Sequence, residues 1–187
     1  LNALGTDTVA AWTSFGKMDA FCWMVISAFG ISATTFVGQN YGAGKYDRVK
    51  KSVRVCLGMT LASSIAMSIF LMTAGKYLFH LFTSDPEVIR IGIQILNYMA
   101  PAYALFVFIE IYSGALRGIG DVIIPTIMTC CGVCVFRTLW VFLLVPKSPT
   151  IETITLSYPI SWGITAVLFI IYYYKKQKKL GMENFDQ

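Results

Sequence analysis

Residues 36–51 read FVGQNYGAGKYDRVKK, and this stretch decides what kind of chain it belongs to. A run from Ala20 to Gly44 without one Asp, Glu, Lys or Arg stops at a glycine-rich turn, and a basic segment starts at once. As a helix, such a run rises ~1.5 Å per residue and crosses the ~30 Å of bilayer hydrocarbon. Gly42 and Gly44 are expected to take the positive φ that ends a helix, with Lys45, Arg48, Lys50, Lys51 and Arg54 directly after. An apolar span closing on a basic loop is the pattern of an integral membrane protein.

Composition agrees. Of 187 residues 56% are hydrophobic and 13% charged, against about 25% charged in an ordinary soluble domain. A net charge of +5 would point to nucleic acid if the basic residues formed one face of a soluble fold. Here they sit at the ends of apolar runs, so membrane topology accounts for them and no nucleic-acid partner is expected. Leu1 is preceded by no basic n-region and followed by no cleavage site, so the chain reads as a piece of a longer protein.

Five spans emerge, at about 8–37, 55–75, 88–116, 122–145 and 153–174, and none alternates as a barrel strand would. The expected fold class is an all-α integral membrane protein with short connections between spans. Residues 175–187, KKQKKLGMENFDQ, read as a solvated tail. With the glycine-rich loop inside, Lys45, Arg48, Lys50, Lys51, Arg54, Arg117, Lys175, Lys176, Lys178 and Lys179 are inside too, and Lys76, Arg90 and Lys147 are outside. Ten against three predicts a multi-pass plasma (inner) membrane protein with a cytoplasmic C-terminus. Tyr172, Tyr173 and Tyr174 would form an interfacial aromatic belt there.

Two motifs read more plainly than they look. Gly38 to Lys45 resembles a phosphate-binding loop, but five residues separate Gly38 from Gly44 and Tyr46 stands where Ser or Thr would hold magnesium. Cys130, Cys131 and Cys134 form a CCxxC run inside a span, and His80 is the one histidine. Small polarizable residues at a helix–helix contact account for that run, and no metal or other cofactor is expected.

Ionisable groups within spans demand more, because a charge in hydrocarbon is costly and usually pairs or faces water. Asp19 lies about 4–5 Å outward of its span's midpoint and Arg137 about 6 Å outward of its own, so the two can share a level. Glu110 lies nearer the basic end, and Lys17 projects from the Asp19 helix in another direction. An Asp19–Arg137 or Lys17-containing ion pair that only fixes packing would explain them, and so would a transport role for at least one. Pro101 interrupts the third span and permits a bend with a freed carbonyl.

With these residues in view, the chain resembles the C-terminal half of a bacterial multidrug and toxic compound extrusion (MATE) transporter. FVGQNYGAGKYDRVKK, GALRGIGDVIIP, FRTLWVFLL and YPISW carry the likeness in that order, and it runs from Ala3 to Lys176. The resemblance implies twelve helices in two six-helix lobes, with this chain supplying helices eight to twelve and the end of helix seven near LNALGT. It implies expulsion of small cationic or amphipathic compounds in exchange for sodium ions or protons. Membrane lipid and the missing N-terminal lobe would be the other partners. Some members carry a C-lobe acid on helix ten; aligned on LRG it falls near Phe106, one turn before Glu110. Asp19, Arg137, Glu110 and Lys17 therefore remain the candidates for ion coupling or the substrate path. A flippase for lipid-linked oligosaccharides, similar in fold, is the alternative. No catalytic constellation points to an enzyme, and nothing resembles a channel's selectivity filter.

Overall fold

The computed structural model describes residues 5–179, and all regular structure among them is helical. Helix α1 spans Thr6–Gly42, α2 Tyr46–His80, α3 Pro86–Met99, α4 Tyr103–Gly118, α5 Ile123–Thr129, α6 Phe136–Leu144 and α7 Ile151–Lys179. A π-helical stretch, Cys130–Val135, joins α5 to α6. By length and composition α1, α2, the joined α5–α6 unit and α7 can each cross a membrane, and α3 with α4 makes a fifth span bent by 50°. The LNALGT remnant of a preceding helix falls mostly on residues 1–4 and the tail end on 180–187, outside the described residues; 175–179 continue α7.

Helix ends follow local chemistry. Asp85 caps α3 by accepting from the Glu87 amide at 2.8 Å, with Pro86 in the first turn where its missing N–H costs nothing. At the basic end α1 and α4 stop in the same way. Gly44 takes φ 69° and the Lys45 amide reaches back to the Asn40 carbonyl, while Gly120 takes φ 85° and the Asp121 amide reaches back to Leu116. Gly42, expected to share this role, stays inside α1. The second span also exceeds its apolar run, because α2 absorbs the basic segment at one end and KYLFH at the other.

The core lies where α1, α3, α4 and α7 meet. Along α1 the buried residues Ala11, Phe15, Met18, Cys22, Ile26, Gly30, Ala33 and Val37 recur every three or four positions, so one stripe faces the bundle. The other face carries Phe21, Met24, Ile31 and Phe36, all exposed. Hydrophobicity cannot drive helices together in lipid, so close backbone approach does the work. A Cβ on Gly114 would stand 2.6 Å from the Gly30 carbonyl oxygen, and one on Gly118 2.7 Å from that of Thr34. The α1–α4 crossing therefore closes only because those two positions are bare.

The α5–α6 span differs. Pro125 is its sole buried residue. Cys130, Cys131 and Cys134 are exposed rather than set at a helix contact, because the side turned to α7 presents Gly132 against Thr165 instead. The tyrosine belt divides as well: Tyr173 is buried against Tyr112, Tyr172 bonds to Asp121, and only Tyr174 is exposed.

Candidate functional site

Asp19 projects from α1 about three and a half turns from the helix's N-terminal end, the end opposite the basic segment, and two donors hold it. Trp23, one turn along α1, donates its indole N–H to Oδ2 at 2.7 Å. The Tyr103 hydroxyl donates to Oδ1. Tyr103 reaches there because α3 ends at Met99 and α4 begins at residue 103, just past Pro101, with the two halves bent by 50°. The backbone at that break is held in turn: Ser68 of α2 donates to the Ala100 carbonyl at 2.6 Å.

Around the carboxylate stands an aromatic cluster. The Trp23 ring centroid lies 4.4 Å from that of Phe106 and 6.1 Å from that of Trp162. Trp162 of α7 is fully buried and also neighbours Tyr103, Phe106 and Tyr158. Arg137 enters the cluster from α6. Its guanidinium carbon lies 3.8 Å over the Tyr158 ring and 5.3 Å from the Trp162 centroid. Its Nε donates to the Ser161 hydroxyl at 3.1 Å, which in turn donates a hydrogen bond to the Tyr158 carbonyl at 2.9 Å. Arg137 Nη2 and Trp162 Nε1 are enclosed without a hydrogen-bond partner among the described residues.

The expected Asp19–Arg137 ion pair is absent among the described residues. Both groups face one aromatic cluster, but Tyr103 and Trp23 occupy Asp19 while Ser161 and Tyr158 occupy Arg137. Lys17 forms no ion pair either: its ammonium lies 5.1 Å from the Phe82 ring centroid, at the far end of α2. Glu110 sits in the α1–α4 crossing instead, against Gly30, and meets Arg117 Nη2 at 3.5 Å. Of the four ionisable candidates only Asp19 and Arg137 share a site. Phe106, where a helix-ten acid was expected from the resemblance, packs directly on Trp23.

Sequence reasoning passed over Tyr103, Trp23, Tyr158, Ser161 and Trp162. A signal existed for Trp23, since an Asp and a Trp four residues apart on a helix face each other. None existed for Tyr103, which depends on where the third span breaks. At the basic end, Asp121 accepts from Lys176 Nζ at 2.7 Å and Tyr172 at 2.6 Å. Burial disfavours the charged Asp121 carboxyl, but these two hydrogen bonds outweigh it and hold the group below the ordinary carboxylate range.

Among the described residues the fold is an all-helical bundle with four helices, and a bent pair as a fifth, long and apolar enough to cross a membrane. The MatE family model matches residues 1–143, and the chain belongs to that family, which is one of transporters and not of enzymes. It is 23% identical to the "Probable multidrug resistance protein YoeA" of Bacillus subtilis over 188 residues, covering 100% of this chain and 41% of that one. To the human "Multidrug and toxin extrusion protein 1" it is 26% identical over 129 residues, 69% of this chain and 23% of that one. The outward-facing structure of a multidrug resistance MATE transporter superposes on 95% of this chain and 40% of its own, with a TM-score of 0.86 at 17% identity. The chain thus spans well under half the length of these relatives.

Proposed function

We propose that this chain is most of the C-terminal lobe of an efflux transporter that expels cationic, amphipathic compounds in exchange for a proton or a sodium ion. One observation carries the reading: Asp19 is ringed by aromatic side chains and forms no ion pair with a basic residue among the described residues. An ionised carboxylate offers about four lone-pair sites. Tyr103 and Trp23 take two of them, and a proton, a metal cation or a substrate ammonium would take up the rest. Aromatic faces nearby add cation–π attraction and apolar contact for an amphipathic cation. An acid charged in one state and neutralised in the other gives the coupling ion differential affinity for two conformations, the condition for alternating access. In this reading the basic end is cytoplasmic in a plasma membrane, and the second lobe of a longer chain closes the substrate path.

A second reading, a flippase for lipid-linked sugars, is favoured by Arg137 Nη2, enclosed beside the same cluster and without a hydrogen-bond partner among the described residues. One pair of variants of the full-length protein separates the two. Asp19→Asn should insert normally and lose gradient-driven efflux of a cationic dye, while Arg137→Gln should keep much of it. Undiminished, ion-dependent export by Asp19→Asn would refute the efflux reading. Loss of transport confined to Arg137→Gln would favour the flippase.

A further inference from the structure

A groove of about 740 Å³ runs between α1 and α2, away from the aromatic cluster and open along one side. Its deeper wall is apolar: Phe29 and Phe36 from α1 and Val55 and Met59 from α2. Its mouth, at the basic end, is Arg48 and Lys51, one turn apart on α2, with Asn40 and Ser52 beside them. No acidic side chain lines it. Neither Arg48 nor Lys51 forms an ion pair among the described residues. Asp47, the acid next in sequence, does not line the groove; it lines an adjoining hollow with Gly44, Lys45 and Tyr46 that shares Arg48 with it.

We propose that this groove is a binding site for one anionic phospholipid, its phosphate held by Arg48 and Lys51 and an acyl chain laid along Phe29, Phe36, Val55 and Met59. The order of chemistry along the groove matches that of the ligand. Two cations with hydrogen-bonding groups stand where the uncharged spans give way to the basic loop, the depth of a headgroup, and aromatic and aliphatic side chains line the depth of the chain. Basic pockets between spans at the cytoplasmic side are suited to anionic headgroups, because charge attraction adds to the burial of the acyl chain. A second groove between the same helices provides a contrast. At the opposite end, about 550 Å³ is lined by Met18, Phe21, Phe70, Leu81 and Phe82, with Lys17 as its one cation, turned onto the Phe82 ring. That groove fits an acyl chain without a preference for headgroup charge.

The proposal is tested on the full-length protein, delipidated and titrated with phosphatidylglycerol or with phosphatidylcholine of the same chains, bound lipid being counted by native mass spectrometry. Wild type should bind a first phosphatidylglycerol at least about tenfold more tightly than phosphatidylcholine. Arg48→Gln with Lys51→Gln should abolish that preference without lowering thermal stability in detergent. Lys45→Gln with Arg54→Gln, which removes as much charge from the same segment outside the groove, should retain it. Met59→Trp, which fills the apolar wall, should weaken the first site for both lipids. Equal binding of the two lipids by wild type would overturn the proposal. So would equal losses in the two charge variants, which would mark a diffuse basic surface, or an unaltered first site in Met59→Trp, which would mean that another part of the protein covers the groove. Failure of dye efflux bears on Asp19 and leaves these outcomes unaffected.

Discussion

The α1–α4 crossing and the α5–α6 span both belong to segments apolar and long enough to cross a membrane, yet they are built for different neighbours. At the crossing, Gly30, Gly114 and Gly118 let two backbones meet within side-chain distance, and buried residues line both helices. Along α5–α6, Leu139, Val141, Phe142 and Leu143 are exposed, a π-helical stretch interrupts the helix, and α7 supplies the main support. Apolarity therefore places a segment in the membrane and says little about what it packs against. Small residues at the right spacing carry that second message. The candidate site draws on both regions, with Asp19 on the tightly held helix and Arg137 on the loosely held one.

The largest expected effect breaks the tight side. Gly114→Val sets a branched side chain against the Gly30 carbonyl, with backbone rather than a flexible side chain to be displaced. A cost of about 3 kcal/mol or more follows, as for severe overpacking, visible as loss of monodisperse full-length protein and a sharply lowered melting temperature. On the loose side, Leu139→Ala should stay within about 0.5 kcal/mol of wild type, as for a residue away from any packed core. A loss above about 2 kcal/mol there would instead identify Leu139 as an inter-lobe contact.

Between these extremes lies the break in the third span. Ser68→Ala removes the shorter of two hydrogen bonds to the Ala100 carbonyl, leaving the one from the Tyr103 amide at 3.4 Å, and costs about 0.5–1.5 kcal/mol. Because this bond steadies the bend that delivers Tyr103, the variant should also lower transport more than its stability loss alone explains.

The smallest effect concerns the tie at the basic end. Asp121 has a carboxyl group held below its ordinary range in the folded protein. Its contribution to stability is therefore complete above that ordinary range and is lost as pH falls through the depressed folded value. The melting temperature of wild type should exceed that of Asp121→Asn near neutral pH, and the gap should narrow as pH falls below the ordinary carboxylate range towards the depressed folded value. A gap independent of pH would show that Asp121 acts through shape alone.

Much of this was legible in the chain itself. Uncharged runs with basic boundaries marked an all-helical chain with membrane-length apolar helices, because the cost of charge in hydrocarbon leaves few alternatives. Side-chain partnerships were another matter. Depth alone put Asp19 and Arg137 at one level and so made them a pair, but a neutral hydroxyl and an indole N–H satisfy the carboxylate without any charge. Those donors leave no mark in a charge pattern. The CCxxC run was assigned to a contact because small residues often make one, yet the π-helical stretch turns Gly132, not the thiols, toward Thr165. The basic run after the glycine turn read as a loop because it is charged, whereas α2 carries it in helical form, and this continuity places Arg48 and Lys51 along one groove.

The central claim is that Asp19 is where a coupling ion and a cationic substrate compete. Calorimetric titration of the purified full-length protein with a lipophilic phosphonium cation, at low and at high concentrations of protons and of sodium, tests it most directly. For wild type, affinity should fall as one of these ions rises. For Asp19→Asn it should be lower by about tenfold, or about 1.4 kcal/mol, and indifferent to both ions. Wild-type affinity with intact ion dependence in Asp19→Asn would contradict the claim and leave Asp19 a packing residue.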